Sequence, residues 1–404
     1  MMVRSFLAVG QGAFYCESFE IGNSDSPFNV VYDCGSMPNK EVVNEAIRHN
    51  FQKGEEIHAV FISHLHEDHI NGIPYLLKHC KVKRIYFPVI LSENKILMKI
   101  WYSINGISGF TVDFLENPIQ AIESLGLDDE HRPKLIQIKE AGLDSEERDF
   151  RETDSDGGKI IEESGGVTLE EIESGKNVFK DIIHTNPTDA YGEWKYIPFN
   201  FRQEGRIKIL MKALESLLGK PATAEKLEQV YKRIMKKNED ENTNENMDEN
   251  NISMTDIEDA YKQVLGEFNT NSMTLFSGEI QNRYEQFLDI NDRLYACCCY
   301  RPKHSGCLYT GDYDALGKIK WNQLKKAYKK YWKYIGCVQI PHHGSRHSFN
   351  NEFLEMDAVF VISAGYSNQF KHPHSCVMKS CMQKGIKPHI VTEDIGSTLY
   401  LLIK

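Results

Sequence analysis

The chain has 404 residues, of which 41% are hydrophobic and 26% charged, an ordinary balance for a globular protein of one large or two ordinary domains. Its net charge of −11 argues against nucleic-acid binding by the whole surface. No run approaches the 18 or more apolar residues of a membrane span, and the N-terminal MMVRSFLAVGQGAF lacks a signal-type apolar core, so a cytoplasmic protein is expected.

Asn29 to Tyr32 reads as a strand leading into DCGS. Lys40 to His49 is helix-periodic, with Val42, Val43, Ala46 and Ile47 on one face. Ile57 to Ile62 is an apolar run of buried-strand length, Ile73 to His79 a helix and Val82 to Phe87 a further strand. Alternation of this kind implies an α/β sandwich or a sheet with helical cover.

The middle of the chain differs. Residues from about Ala141 to Gly175 are acidic and read as loop, and Trp194 to Phe199 reads as a strand. Helices are expected at Arg206 to Leu218, Ala224 to Lys236 and Thr255 to Phe268. The intervening Asn238 to Asn251 is too polar to fold and reads as a solvated linker. The α/β pattern then returns. Strands are expected at Ser272 to Phe276, Leu294 to Tyr300, Cys307 to Thr310, Cys337 to Ile340, Ala358 to Ser363, His389 to Thr392 and Thr398 to Ile403, with a lysine- and aromatic-rich helix at Trp321 to Tyr334. The whole is expected to be one domain, built from 1–110 and 269–404, with a mostly helical, partly disordered insertion at about 111–268.

Ten cysteines are present, but their scatter does not resemble a disulfide framework, so they read as reduced thiols. A metal site from Cys297, Cys298, Cys299 and Cys307 is disfavoured because alternate strand residues point to opposite faces. Between Ala315 and Asn351 there is no acid, while Lys318, Lys320, Lys325, Lys326, Lys329, Lys330, Lys333 and Arg346 are all cationic. That segment would either attract an anionic substrate or serve as a solvated face.

Chemistry concentrates in FISHLHEDHING, where His64, His66, Asp68 and His69 follow the strand at Ile57 to Ile62. Packing does not call for such density, whereas a zinc-type ion needs convergent imidazole and carboxylate ligands. Three further polar clusters follow strand-like runs. LYTGDYD offers Asp312, VQIPHHGSRHS offers His342, His343 and His347, and SAGYSNQFKHPHS offers His372 and His374.

HLHEDH, the earlier DCGS, then LYTGD, PHHGS and NQFKHPH, in this order, resemble the metallo-β-lactamase fold, an αββα sandwich. The C-terminal series most resembles the ComEC type, the hydrolase domain of DNA-uptake channels. VGQGAF resembles that group's opening strand, although Ala8 and Ala13 stand where acids are usual, and FNTNSMTLF resembles its Asn-x-x-Ser strand. The resemblance implies two divalent metal ions, zinc or alternatively manganese. It makes His64 and His66 ligands of the first, Asp68 and His69 ligands of the second, and Asp312 the bridge. His343, or alternatively His342, completes the second ion; His342 otherwise stands beside the ligands, hydrogen-bonding or contacting substrate, and Asp33 orders the histidine loop. The first ion's third histidine is left open: His131, His184 and His304 stand in no matching context, and His372, a water or single-ion occupancy are the alternatives.

The expected activity is metal-dependent hydrolysis, with a phosphodiester of nucleic acid or nucleotide type as leading substrate. In that reading Asp68 is catalytic as well as ligating, His347 or His372 donates a proton, and Arg346, Lys371 and His374 contact substrate. A thioester, lactone or amide substrate is the alternative on the same fold. A non-catalytic, metal-stabilised module that meets a protein partner through the helical insertion is the third.

Overall fold

The computed structural model describes residues 1–20, 26–37, 39–141, 158–179, 194–201, 211–216, 272–280, 286–289, 302–366 and 368–404. Two large sheets organise them. In the first the strand order is Lys159–Ser164, Val167–Ile172, Lys134–Ile138, Arg84–Pro88, Ala59–Phe61, Phe28–Met37, Gln11–Phe19, Met2–Phe6, Leu399–Ile403 and Gln286–Asp289. In the second it is His389–Val391, Val359–Ser363, Ile335–Gln339, Gly306–Tyr309, Thr274–Gly278, Lys195–Phe201 and Glu140–Ala141. Ala59–Phe61 pairs in parallel with both its neighbours, and Gly306–Tyr309 through His389–Val391 run parallel as a block.

Three apolar layers hold the sandwich together. Between the sheets lie Phe6, Tyr15, Tyr32, Phe61, Tyr196, Leu275, Tyr309 and Val361. The outer face of the first sheet packs against Val43, Ile47, Ile73, Leu76 and Leu77, from the helices Lys40–Asn50 and Ile73–His79. The outer face of the second meets Trp321 and Leu324 of the helix Lys318–Ala327 and Val377 and Cys381 of Ser375–Gln383. Helix, sheet, sheet, helix is the αββα sandwich expected from the sequence.

Local chemistry explains the first helix: the Asn39 side chain accepts from the Glu41 N–H at 2.9 Å, and Val43 and Ile47 fall on one buried face. The lysine-rich helix ends earlier than its periodicity suggests, at Ala327, and a 3₁₀ turn at Trp332–Tyr334 follows. Its aromatics are core residues. Trp321 and Tyr328 are buried and Tyr331 stacks on Phe276, while Lys320 and Lys325 pair with Asp314 and Glu352.

The expected helical insertion is corrected in its described part. Lys134–Ile138, Val167–Ile172 and Lys195–Phe201 are sheet members, so the sandwich runs on beyond residue 110. The acidic segment read as loop includes the hairpin Lys159–Ser164 and Val167–Ile172, whose first strand is exposed throughout. Edge pairing supplied by a neighbouring strand needs little apolar pattern, which is why the sequence did not announce it. The expected helices Ala224 to Lys236 and Thr255 to Phe268, the linker Asn238 to Asn251, the strand Leu294 to Tyr300 and the cysteines Cys297 to Cys299 lie outside the described residues; of Arg206 to Leu218, residues 211–216 are helical. Among the described residues no helix is long and apolar enough to cross a membrane.

Candidate metal centre

Both sheets end at one place. The segment after Ala59–Phe61 carries Ser63 to His69 and closes in the one-turn helix Glu67–Ile70, the loop after Gly306–Tyr309 carries Asp312, and that after Ile335–Gln339 carries His342 and His343. The carboxyl ends of parallel strands are where exposed loops grow from a fixed origin, and ligands gather there.

Each approach has a specific local cause. Asp33 sits in Phe28–Met37 at φ 56°, where the register with Gln11–Phe19 slips, so a β-bulge turns its side chain toward the loop. It accepts from the Ser63 N–H at 2.6 Å and the Ser63 hydroxyl at 2.7 Å, and its Oδ2 lies 2.8 Å from His69 Nδ1. Glycine permits the next contact: a Cβ on Gly35 would stand 2.4 Å from the Asp68 carbonyl carbon and 2.5 Å from His69 N. The Asp312 loop is clamped by Gln339, whose Oε1 accepts from the Thr310 and Gly311 N–H groups at 2.8 and 2.7 Å, and by Ser272, whose hydroxyl accepts from Asp312 N–H at 2.8 Å.

The centre itself is buried and dense. Asp312 Oδ1 faces Nε2 of His69 at 3.4 Å and of His343 at 3.9 Å. Its Oδ2 faces Nε2 of His64 at 3.5 Å and of His342 at 3.7 Å. Asp68 Oδ2 lies 3.2 Å from His343 Nε2 and 3.8 Å from His69 Nε2. His66 presents Nδ1 to His64 Nε2 at 3.1 Å, and its ring stacks on Trp101.

The outward nitrogens are engaged. Nδ1 of His64 lies 2.9 Å from the Ser63 hydroxyl and 3.2 Å from that of Ser272, and Nδ1 of His343 donates to the Ser363 carbonyl at 2.9 Å. Such partners fix the tautomer that leaves the inner nitrogen a lone pair. Burial would raise the Asp68 and Asp312 carboxyls, but the surrounding histidines outweigh it and hold both below the usual carboxylate range: His69 and His343 for Asp68, and His342, His69 and His64 for Asp312. Burial lowers His64, whereas for His69 the charges of Asp68, Asp312 and Asp33 outweigh burial and raise it.

Does a divalent ion fit these groups? Asp312 Oδ1, His69 Nε2 and His343 Nε2 are buried without a hydrogen-bond partner and aim at common space. Ligand atoms of His64, His69 and Asp312 lie within 4.8 Å of one another, as do those of Asp68, His69 and His343. Nitrogen and carboxylate donors in this arrangement suit a zinc-type ion, and unpaired buried polar atoms need such a partner.

The remaining sequence candidates lie further out. His372 is half-buried, its ring centroid 5.5 Å from that of His342 and its Nδ1 3.5 Å from Gln11 Nε2. Arg346 and His347 are exposed, and Arg346 Nε donates to His347 Nε2 at 3.0 Å. Lys371 is exposed at φ 59°. His374 caps the helix Ser375–Gln383, its Nδ1 accepting from the Cys376 N–H at 3.2 Å. Ser63 and Gln339 were given no role from sequence, although Ser63 directly precedes the histidine motif. Ser272 belongs to the FNTNSMTLF segment.

The sequence pattern of the Metallo-beta-lactamase superfamily matches residues 21–163 of this chain, in agreement with the metallo-β-lactamase-like αββα sandwich. Among curated proteins the chain is similar to Ribonuclease Z of Geobacillus kaustophilus, 26% identical over 157 residues, 37% of this chain and 50% of that protein. It is similar also to Ribonuclease J of Mycoplasma genitalium, 34% identical over 77 residues, 18% of this chain and 13% of that protein. The chain therefore spans half or less of the length of these relatives. The solved structure of unliganded yeast PDE1 aligns over 99% of both chains with a TM-score of 0.38 and 6% identity, too slight a likeness to bear on function.

Proposed function

We propose that this protein is a metal-dependent phosphodiesterase acting on nucleic acid, with two divalent ions held around Asp312. The observation that carries the reading is Asp312 itself, a buried carboxylate whose two oxygens each face a separate pair of imidazole Nε2 atoms. A pair of divalent ions, when bound, supplies an activated water and polarises a phosphoryl oxygen. Similarity to ribonucleases Z and J supports a nucleic-acid substrate. The C-terminal motifs resemble the ComEC type, zinc is the ion the nitrogen-rich donors favour, with manganese the alternative, and a cytoplasmic setting accords with nucleic-acid work.

The chain's own groups divide the labour. Asp33, Ser63 and Ser363 fix the imidazoles, so that little reorganisation is needed as charge develops. His372, at the mouth of the centre, is the proton donor to the leaving oxygen, in preference to His347. Arg346 and Lys371, both exposed on adjoining loops, hold phosphate oxygens of the substrate.

The test is a substrate panel of single- and double-stranded DNA, RNA, cyclic nucleotides and bis(p-nitrophenyl) phosphate, set beside a lactone and a thioester. Purified protein should carry close to two divalent ions and cleave a phosphodiester, and both His66→Ala and Asp312→Asn should abolish cleavage. Metal-free protein after reconstitution, or cleavage of only the lactone or thioester, refutes the proposal.

A further inference from the structure

We infer that His342 is the third histidine of the first metal ion, so that the adjacent pair His342 and His343 is divided between the two ions. This inference rests on the two-metal reading and deepens it. The first ion, as the sequence leaves it, has His64, His66 and the Asp312 bridge, with no third imidazole supplied ahead of Asp312 in the chain.

The geometry fills the gap from the other direction. His342 Nε2 lies 3.7 Å from Asp312 Oδ2, the same oxygen that His64 Nε2 faces at 3.5 Å, and His66 Nδ1 adjoins His64 Nε2 at 3.1 Å. His343 takes the opposite pole, with Asp312 Oδ1 at 3.9 Å and Asp68 Oδ2 at 3.2 Å. Each oxygen of one carboxylate therefore meets one member of the histidine pair.

Neighbouring residues in regular backbone could not both face one carboxylate. Here His342 and His343 have φ of 50° and 52°, and Gly344 follows at 78°. Two successive left-handed residues that are not glycine are costly, and strain of this kind persists only where the surroundings enforce it. The surroundings do so: the His342 N–H donates to the Gly311 carbonyl at 2.9 Å, tying the turn to the loop of Asp312, and the Ser345 N–H donates to the His342 carbonyl at 2.8 Å. The turn splays the rings to 72° with centroids 6.0 Å apart. Nδ1 of His342 lies 3.1 Å from the Ser348 hydroxyl, which orients the ring as the Ser363 carbonyl orients that of His343.

The alternative imidazole is less well placed: His372 packs against His342 with its Nδ1 3.5 Å from Gln11 Nε2.

The decisive measurement is zinc stoichiometry by elemental analysis, together with zinc affinity by chelator competition, on the full chain. His342→Asn and His342→Asp are chosen because both side chains tolerate a left-handed backbone, while only Asp offers an anionic ligand oxygen. Wild type should hold two ions. His342→Asn should keep one, with the other weakened about a hundredfold or more, beyond the 10–100-fold typical of orienting partners. His342→Asp should recover the second ion, and circular dichroism should show all three proteins folded. Two ions of unchanged affinity in His342→Asn overturn the inference while leaving the two-metal reading intact, and so does a single wild-type ion that His342→Asn retains. A wild type that binds no ion sinks the underlying reading instead.

Discussion

Nδ1 of His69 lies 2.8 Å from Oδ2 of Asp33, and both side chains are buried. Asp33 also holds the backbone and hydroxyl of Ser63, so one carboxylate orients both ends of the histidine loop. Asp33→Asn preserves size and tolerates the positive φ, but its amide would turn an N–H toward His69 Nδ1. The imidazole would then carry its proton on Nε2, the inward nitrogen. Metal affinity should fall about 10–100-fold with modest loss of stability. Chelator competition checks this, and unchanged affinity would show that Asp33 is merely a packing residue.

Gly35 lets the helix that carries Asp68 and His69 lie directly on the strand. In Gly35→Ala the new methyl would meet backbone atoms that have no rotamer with which to escape. The expected cost is about 1–3 kcal/mol of stability, with weakened metal binding because the loop must lift. A melting temperature and zinc affinity equal to wild type would contradict the contact.

Outside the ligand cluster, Arg4 is wholly buried against Glu17, Nε to Oε1 at 2.7 Å. Arg4 Nη1 donates to the Ser305 carbonyl at 2.9 Å, while Tyr196 and Tyr309 donate to Glu17 at 2.7 and 2.8 Å, joining the two sheets. Arg4→Met strands a buried carboxylate and should destabilise by about 3–5 kcal/mol. Adding Glu17→Gln should restore part of that loss. Strictly additive losses in the denaturation cycle would mean the pair is uncoupled.

Stability should fall in mild acid partly through His389. Burial holds its imidazole below the ordinary value, against the hydrogen bond between Nε2 and the Ser397 carbonyl at 2.7 Å. The unfolded chain takes up the proton near pH 6.5 while the fold resists it, so stability declines as pH drops through and below that point. His389→Gln keeps an N–H donor and removes the titration. Denaturant midpoints between pH 7.5 and 5 should therefore decline less steeply in the variant, and an identical slope would assign the acid sensitivity elsewhere.

Most of the sandwich could be read along the chain, because buried strands such as Val359–Ser363 and Ile335–Gln339 are written as apolar runs and the first helix as a spaced stripe with a cap. Met2–Phe6 and the helices Ser92–Ile104 and Ser375–Gln383 escaped. The first gains its strand character only from pairing with Gln11–Phe19 and Leu399–Ile403, partners close and remote in sequence. Pairing of that kind is a property of the fold and leaves little local pattern.

For the centre, the sequence by itself determined which atoms were available, because ligand chemistry is a property of residue type: His64, His66, Asp68, His69, Asp312 and His343 all meet there. What the tertiary structure decided was direction. Only the assembled strand ends show that Asp312 turns one oxygen to His64 and His342 and the other to His69 and His343, that Gln339 and Ser272 clamp its loop, and that His374 caps a helix. Two neighbouring histidines are indistinguishable in sequence. A pair of left-handed backbone angles, enforced by a hydrogen bond to a loop some thirty residues away, sends them to opposite ends of one carboxylate.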